Sequence, residues 1–408
     1  MASMMMARGL SCTATAAVVL GQLLLSTPSA IGQRSIEIDD TRSHGVMLKS
    51  GDHARAAVDG VQIPLRSSGR AVPWPPFRSS SPEEEGINPE MLAAAYDRAA
   101  NIPHIYSMLV IRHRALVAEE YFDTPSRSTA TPVASVGKSI LGALVGIALE
   151  EGFLVDLDER MIDYFPEHDR PGLDHRKRSI TIRQLVQMRA GYPFDSTNEF
   201  FDGLIEDGNW MRFIITEWPL VREPGTGHDY SSASAHLLSG ILTEATGMSL
   251  QDLANRYLFG RMGQPIETWP RDPQGYCIGP GDVHCTPLQL ASFGQMILDR
   301  GRWRGRWILR PQWVEESLEP LSPSSYGSRI WPYQDIHYGQ LWWHATVAGR
   351  EVLFAWGHGG QFITLVPTLD LIVVTTAYNF VGDFTDNSWN TEGAIMQLIA
   401  ADVIPAAE

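Results

Sequence analysis

Only three lysines stand against 29 arginines in this chain, and one of them, Lys138, follows a serine by one helical turn in Ser135-Val136-Gly137-Lys138. Residues at i and i+3 share a helix face. A serine hydroxyl is a poor nucleophile until a base takes its proton. A lysine held neutral by desolvation can be that base, whereas arginine stays protonated. Because the chain otherwise uses arginine for positive charge, a lysine in an apolar stretch invites a chemical reason. The segment Val136 to Glu150 is helical in pattern and apolar on most faces, which supplies the desolvation. Ser135 falls at the start of that helix, where unpaired N–H groups favour a developing negative charge. Taken alone, the tetrad also describes a capping serine beside a snorkelling lysine. Gly137-Lys138-Ser139 matches the end of a phosphate-binding loop, but that loop needs a glycine where Pro132 stands.

Two further segments could complete the chemistry. Pro224-Gly225-Thr226-Gly227-His228-Asp229-Tyr230-Ser231-Ser232 is a turn that delivers Tyr230 just before a helix. A phenol near an ammonium can shuttle a proton, although a single tyrosine more commonly packs under a loop. Trp356-Gly357-His358-Gly359-Gly360-Gln361 lies between two expected strands, and its glycines let backbone approach a ligand. The N–H groups of Gln361 and Ser135 are candidates for an oxyanion hole. His358 could bind a carboxylate or carbonyl, or pass a proton. A β-bulge with a surface histidine would look the same.

In this order the three segments resemble the penicillin-recognising serine hydrolases, marked by Ser-x-x-Lys, Tyr-x-Asn and Lys-Thr-Gly. The likeness is to the branch with class C β-lactamases, DD-peptidases, family VIII esterases and 6-aminohexanoate-oligomer hydrolases. It runs from about residue 82 to the end, and includes Val155-Asp156-Leu157-Asp158, Tyr164-Phe165-Pro166-Glu167, Ile180 to Leu185 and Leu365-Val366-Pro367 with Leu369-Asp370-Leu371. The resemblance implies Ser135 as nucleophile, Lys138 and Tyr230 as the acid/base pair, and the Ser135 and Gln361 N–H groups as the oxyanion hole. It implies no metal or organic cofactor. Ser232, His358, Gly359 and Gly360 are the implied substrate contacts. Ser232 replaces the asparagine, and His358-Gly359-Gly360 replaces Lys-Thr-Gly, so the groups that grip a β-lactam are missing. The forms Tyr-Ser-Ser and Gly-His-Gly-Gly-Gln look more like the aminohexanoate-hydrolase and esterase-like members, whose substrates are linear amides or esters. The competing expectations are a D-alanyl carboxypeptidase or weak β-lactamase, and a non-catalytic binding protein on the same fold. The intact serine, lysine and tyrosine speak against the last.

The elements that would hold these residues follow from pattern. Asn88-Pro89 opens a helix, with asparagine as N-cap and proline in the first turn. Strands are expected at Tyr106 to Ile111, Ala115 to Phe122, Tyr338 to His344, Val352 to Ala355, Phe362 to Val366 and Leu371 to Ala377. Helices are expected at Ile182 to Met188, Ser232 to Thr246, Leu288 to Asp299 and about Thr391 to Val403. Strands at both ends with helices between them predict an α+β fold of the β-lactamase/transpeptidase-like type. Its central antiparallel sheet is built from both chain ends, and a mostly helical lobe spans about 150–325.

The remainder bounds the biology. A net charge of −15 over 408 residues argues against a nucleic-acid partner. A small-molecule ester, amide or short peptide is the expected partner. Residues 1–32 read as a secretory signal, with Arg8, the apolar run Thr13 to Leu25 and Ala30-Ile31-Gly32. That reading places the mature protein in the periplasm or medium, and an uncleaved N-terminal anchor is the alternative. Residues 33–81 read as a linker or wrapping arm, and 82–408 as the catalytic domain. In an oxidising compartment Cys277 and Cys285 are expected to pair as a disulfide, with two free buried thiols as the alternative. No H-E-x-x-H or G-x-S-x-G motif occurs.

Overall fold

A computed structural model describes residues 76–408 except 124, 195–198, 328 and 379–386. The expected signal and the arm as far as residue 75 lie outside the described residues. The arm's last residues join the sheet: Phe77 is buried edge-on against Trp303, and the two-residue strand β1 (Arg78–Ser79) runs along the sheet edge. A strand that short leaves no periodicity in sequence.

The sheet is otherwise made of β2 (Ile105–Arg112), β3 (Ala115–Tyr121), β8 (Ser322–Pro323), β9 (Arg329–Ile330), β10 (Tyr333–Tyr338), β11 (Trp343–Val347), β12 (Arg350–Gly357), β13 (Gln361–Val366) and β14 (Leu371–Ala377). Two small ribbons lie outside it: β4 (Thr131–Pro132) with β5 (His284–Cys285), and β6 (Arg302–Trp303) with β7 (Arg306–Trp307). The sheet order is β1-β3-β2-β14-β13-β12-β11-β10-β8, with β9 on β10; only the β1–β3 pair is parallel. The first long strand therefore pairs with the last, Met108 opposite Thr375. Both ends build one sheet, as the distribution of strands predicts.

β13 and β14 are buried at every residue, so helices cover both of their faces. The helices of eight or more described residues are α1 (Pro89–Ala99), α2 (Val136–Glu150), α3 (Glu199–Asp207), α4 (Ser232–Thr246), α5 (Leu250–Tyr257), α6 (Pro287–Leu298), α7 (Pro311–Leu318) and α8 (Asn387–Leu398). Asn88 caps α1 by accepting the Met91 N–H at 3.0 Å. α2 packs between the sheet at β12 and the helices α4 and α5. Ile140, Leu141, Leu144 and Val145 on α2 are fully buried. Each stabilises the fold by about 1.5–3 kcal/mol relative to exposure. Among the described residues no helix is long and apolar enough to cross a membrane.

Three expectations are corrected. Tyr338 to His344 is not one strand: β10 ends at Tyr338, the chain turns with Leu341 at φ 63°, and β11 begins at Trp343. The apolar, aromatic character continues through that turn, so sequence pattern misses it. The closing helix begins at Asn387, and Ile399–Val403 continues it as a π-helical turn. Cys277 and Cys285 are free buried thiols, not a disulfide. Each is held by its own backbone pairing, Cys277 bridged to Arg271 and Cys285 to Thr131 across the β4–β5 ribbon. Burial raises the pKa of both, so they behave as small apolar side chains.

Candidate active site

Short-range backbone geometry aims Ser135. The β4–β5 ribbon ends with Val133 N–H donating to Val283 C=O at 3.0 Å. Ala134 then takes φ 45°, a left-handed conformation that costs a non-glycine residue about 1–2 kcal/mol. Ser135 is the N-cap of α2, yet its side chain makes no capping bond. Its hydroxyl instead meets Lys138, whose Nζ lies 2.8 Å from Ser135 Oγ. A second 2.8 Å bond runs from Nζ to Pro280 C=O, and the ammonium lies 4.8 Å from the centre of the Tyr230 ring. Lys138 is 2% exposed. The i, i+3 spacing, the burial and the tyrosine expected from sequence thus meet at one nitrogen.

Tyr230 is placed from both sides. Asp229 N–H donates to Met188 C=O at 2.9 Å, and Arg222 donates to the Asp229 carboxylate at 3.0 Å. Tyr230 N–H donates to Ser325 Oγ at 3.2 Å. The ring stacks on Trp343 with centroids 5.3 Å apart and meets Tyr338 edge-on at 5.8 Å. Met188 and Arg189 follow a short helix, Ile182–Val186, that Thr181 and Gln184 close with a reciprocal capping box. Ser232 opens α4 and lines a small cleft with Ser135, Lys138, Phe201, Ile278 and Asp282.

Two glycines permit the close packing around Ser135. A Cβ on Gly281 would lie 2.5 Å from Ala134 O, and one on Gly357 would lie 2.4 Å from Val133 O and 3.2 Å from Ser135 N. The end of β12 is therefore against the Ser135 backbone. Gly357 pairs with Gln361 across the turn. The Gln361 side chain is turned away into the sheet, donating to Ala377 C=O at 2.5 Å and accepting Ala377 N–H at 3.1 Å. Only its backbone is left for an oxyanion.

His358 departs from a solvent-facing anion binder. Its Nδ1 is 3.4 Å from Glu392 Oε1, and its Nε2 is buried without a hydrogen-bond partner among the described residues. Burial lowers its pKa to about 4. The imidazole is neutral at pH 7, so it offers hydrogen bonds but no charge to a substrate carboxylate. Gly359 N–H donates to Glu392 Oε1 at 2.6 Å. Gly360, at φ 110°, packs on α8.

Three contributors escape sequence reading. Pro280 supplies the second acceptor for Lys138. Asp282 lines the cleft with φ 61°; burial raises its pKa to about 6, while the Lys138 charge pulls it down. Glu392, buried on α8, accepts from the turn that carries His358, and burial raises its pKa to about 7. The Gly279-Pro280-Gly281-Asp282 run has the composition of a tight turn, but nothing in it points to the lysine it meets.

Known proteins share this fold. A curated relative, the 6-aminohexanoate-dimer hydrolase of Paenarthrobacter ureafaciens, is 26% identical over 300 residues, covering 66% of this chain and 71% of that protein. The solved structure of the hydrolase EstCE1, described as having promiscuous acyltransferase activity, matches with a TM-score of 0.59 at 16% identity, over 77% of this chain and 99% of that one. A D-stereospecific amidohydrolase from Streptomyces sp. matches with a TM-score of 0.56 at 16% identity, over 76% and 98%. The Beta-lactamase family model matches residues 106–394, which include Ser135, Lys138, Tyr230 and His358. The chain belongs to the beta-lactamase family of hydrolases.

Proposed function

We propose that this protein is an exported serine hydrolase that cleaves a carboxylic ester or linear amide through an acyl-Ser135 intermediate. The observation that carries the reading is Lys138 Nζ at 2.8 Å from Ser135 Oγ, in a buried pocket under the Tyr230 ring. Lys138, in its neutral form, takes the Ser135 proton along that line. Oγ attacks the substrate carbonyl carbon, and the N–H groups of Ser135 and Gln361 hold the oxyanion. Tyr230, recharged from Lys138, protonates the leaving amine or alkoxide as the C–N or C–O bond breaks. Water enters, gives a proton to the same pair and releases the acid with Ser135 restored. Ser232, His358, Gly359 and Gly360 are the substrate contacts.

Linear amides gain support from the aminohexanoate-dimer hydrolase relative. A neutral His358 in place of the family's lysine, and Ser232 in place of asparagine, weigh against β-lactams and D-alanyl carboxylates. Export rests on the N-terminal 32 residues and is checked by sequencing the mature N-terminus from cell fractions. The test of chemistry is hydrolysis of p-nitrophenyl butyrate by wild type and Ser135→Ala. We expect release only from wild type, and release surviving in the variant would sink the assignment. A panel of 6-aminohexanoate dimer, a D-alanyl peptide and a chromogenic cephalosporin then ranks the bonds, with the dimer or simple esters expected first.

A further inference from the structure

The turn that carries His358 is anchored from outside the sheet. Glu392 stands on α8 and is 2% exposed. Its two carboxylate oxygens are divided between two donors of that turn, Oε1 accepting Gly359 N–H at 2.6 Å and Oε2 accepting Trp356 Nε1–H at 2.8 Å. His358 Nδ1 comes within 3.4 Å of Oε1. The helix also touches the turn directly: a Cβ on Gly360 would lie 2.6 Å from Ile395 Cδ1 and 3.4 Å from Thr391 Cγ2. On its other side the same turn begins at Gly357, whose Cβ position is 3.2 Å from Ser135 N. One buried carboxylate therefore spans a turn whose Gly357 end lies against the Ser135 backbone.

A buried carboxylate is costly unless hydrogen bonds offset its desolvation. A glutamine of the same shape keeps one acceptor oxygen and sets an N–H₂ against the second donor. We propose that Glu392 is a positioning residue, which fixes the Trp356–Gly360 turn against Ser135 and so sets how well the site stabilises a transition state. The role rests on the acyl-Ser135 reading. Misplacing oxyanion donors lowers turnover more than ground-state binding.

The test compares wild type, Glu392→Gln and Trp356→Phe, with turnover of p-nitrophenyl butyrate expressed per serine titrated by a fluorophosphonate. A residue needed only for stability would lower the titrated fraction and leave turnover per titrated serine unchanged. We expect Glu392→Gln to lose about tenfold or more in kcat per titrated serine, with KM within about twofold. Trp356→Phe removes the Oε2 bond while keeping a ring beside Phe362, and should lose about two- to threefold, which keeps the test in hand if the glutamine variant does not fold. Hydrogen–deuterium exchange of the peptide covering 356–361 should quicken in both variants. Unchanged kcat per titrated serine, or unchanged exchange in that peptide, overturns the role and leaves Ser135 as assigned. Activity that persists in Ser135→Ala overturns the acyl-Ser135 reading, and this role with it.

Discussion

Lys138 and Lys177 are both 2% exposed, yet their surroundings differ in kind. Lys177, in the turn His175–Ser179 of the helical lobe, donates to Ile214 C=O at 3.2 Å and Trp218 C=O at 2.5 Å, with the Tyr192 ring centre 5.7 Å away. Tyr192 Oη reaches the same Ile214 carbonyl at 3.3 Å. Carbonyls can hold an ammonium but can neither give nor take its proton, so this pocket ties the lobe together and does no more. Lys138 meets the Pro280 carbonyl and, unlike Lys177, a hydroxyl, that of Ser135. Exchanging a single carbonyl for a hydroxyl turns a structural lysine into one that can act as a base, because that partner has a proton to give. Burial and a nearby tyrosine ring are common to both sites. The difference lies in who shares the nitrogen.

The largest effects should separate the two lysines. Lys138→Arg keeps a charge but cannot lose a proton, and we expect turnover of p-nitrophenyl butyrate to fall about 10³-fold or more. Activity within tenfold of wild type would remove Lys138 as the base. Tyr230→Phe keeps the ring stacked on Trp343 and removes only the hydroxyl; about a 10²-fold loss in kcat is expected, with the melting temperature little changed.

Lys177→Met should act in the opposite way, leaving turnover per titrated serine within about twofold while destabilising the fold by about 1–3 kcal/mol, as the Trp218 carbonyl loses its lysine donor and the Ile214 carbonyl keeps only that of Tyr192. Its pH signature can be worked out. Burial lowers the folded pKa of Lys177 from 10.5 to about 8. Between those values the unfolded chain binds the proton and the folded chain does not, so this group's contribution rises with pH from about 8 to 10.5 and is lost as pH falls through 8. Denaturant melts across that window should show the slope in wild type and not in Lys177→Met. The smallest effect belongs to Asp282→Asn. Its carboxylate favours the charged form of Lys138, so its removal should move the acid limb of kcat/KM to lower pH. An unmoved or raised limb would show that Asp282 does not act on Lys138.

The contrast between the lysines also marks what pattern can reveal. Ser135 and Lys138 are legible together because a helix converts a spacing of three residues into contact. Asn88, the strands at both ends and the helix at Ser232–Thr246 are legible for the same reason, since cap, alternation and periodicity are local. Composition does not separate Lys177 from Lys138, since both are rare lysines; the spacing to Ser135 singles out Lys138, and the tertiary fold sets which carbonyls, from 214, 218 and 280, share each nitrogen.

The sequence by itself determined the Ser135–Lys138 pair, the tyrosine-bearing turn, the glycine-rich turn after β12 and the two-ended sheet, because each is a short-range pattern or an order of such patterns. Only the tertiary structure decided that Pro280 and Asp282 face Lys138, that Glu392 anchors the His358 turn, that Gln361 spends its side chain on Ala377, and that Cys277 and Cys285 stay apart. Those contacts join segments far apart in the chain. They arise from which surfaces bury one another, and burial depends on the whole sheet and lobe at once.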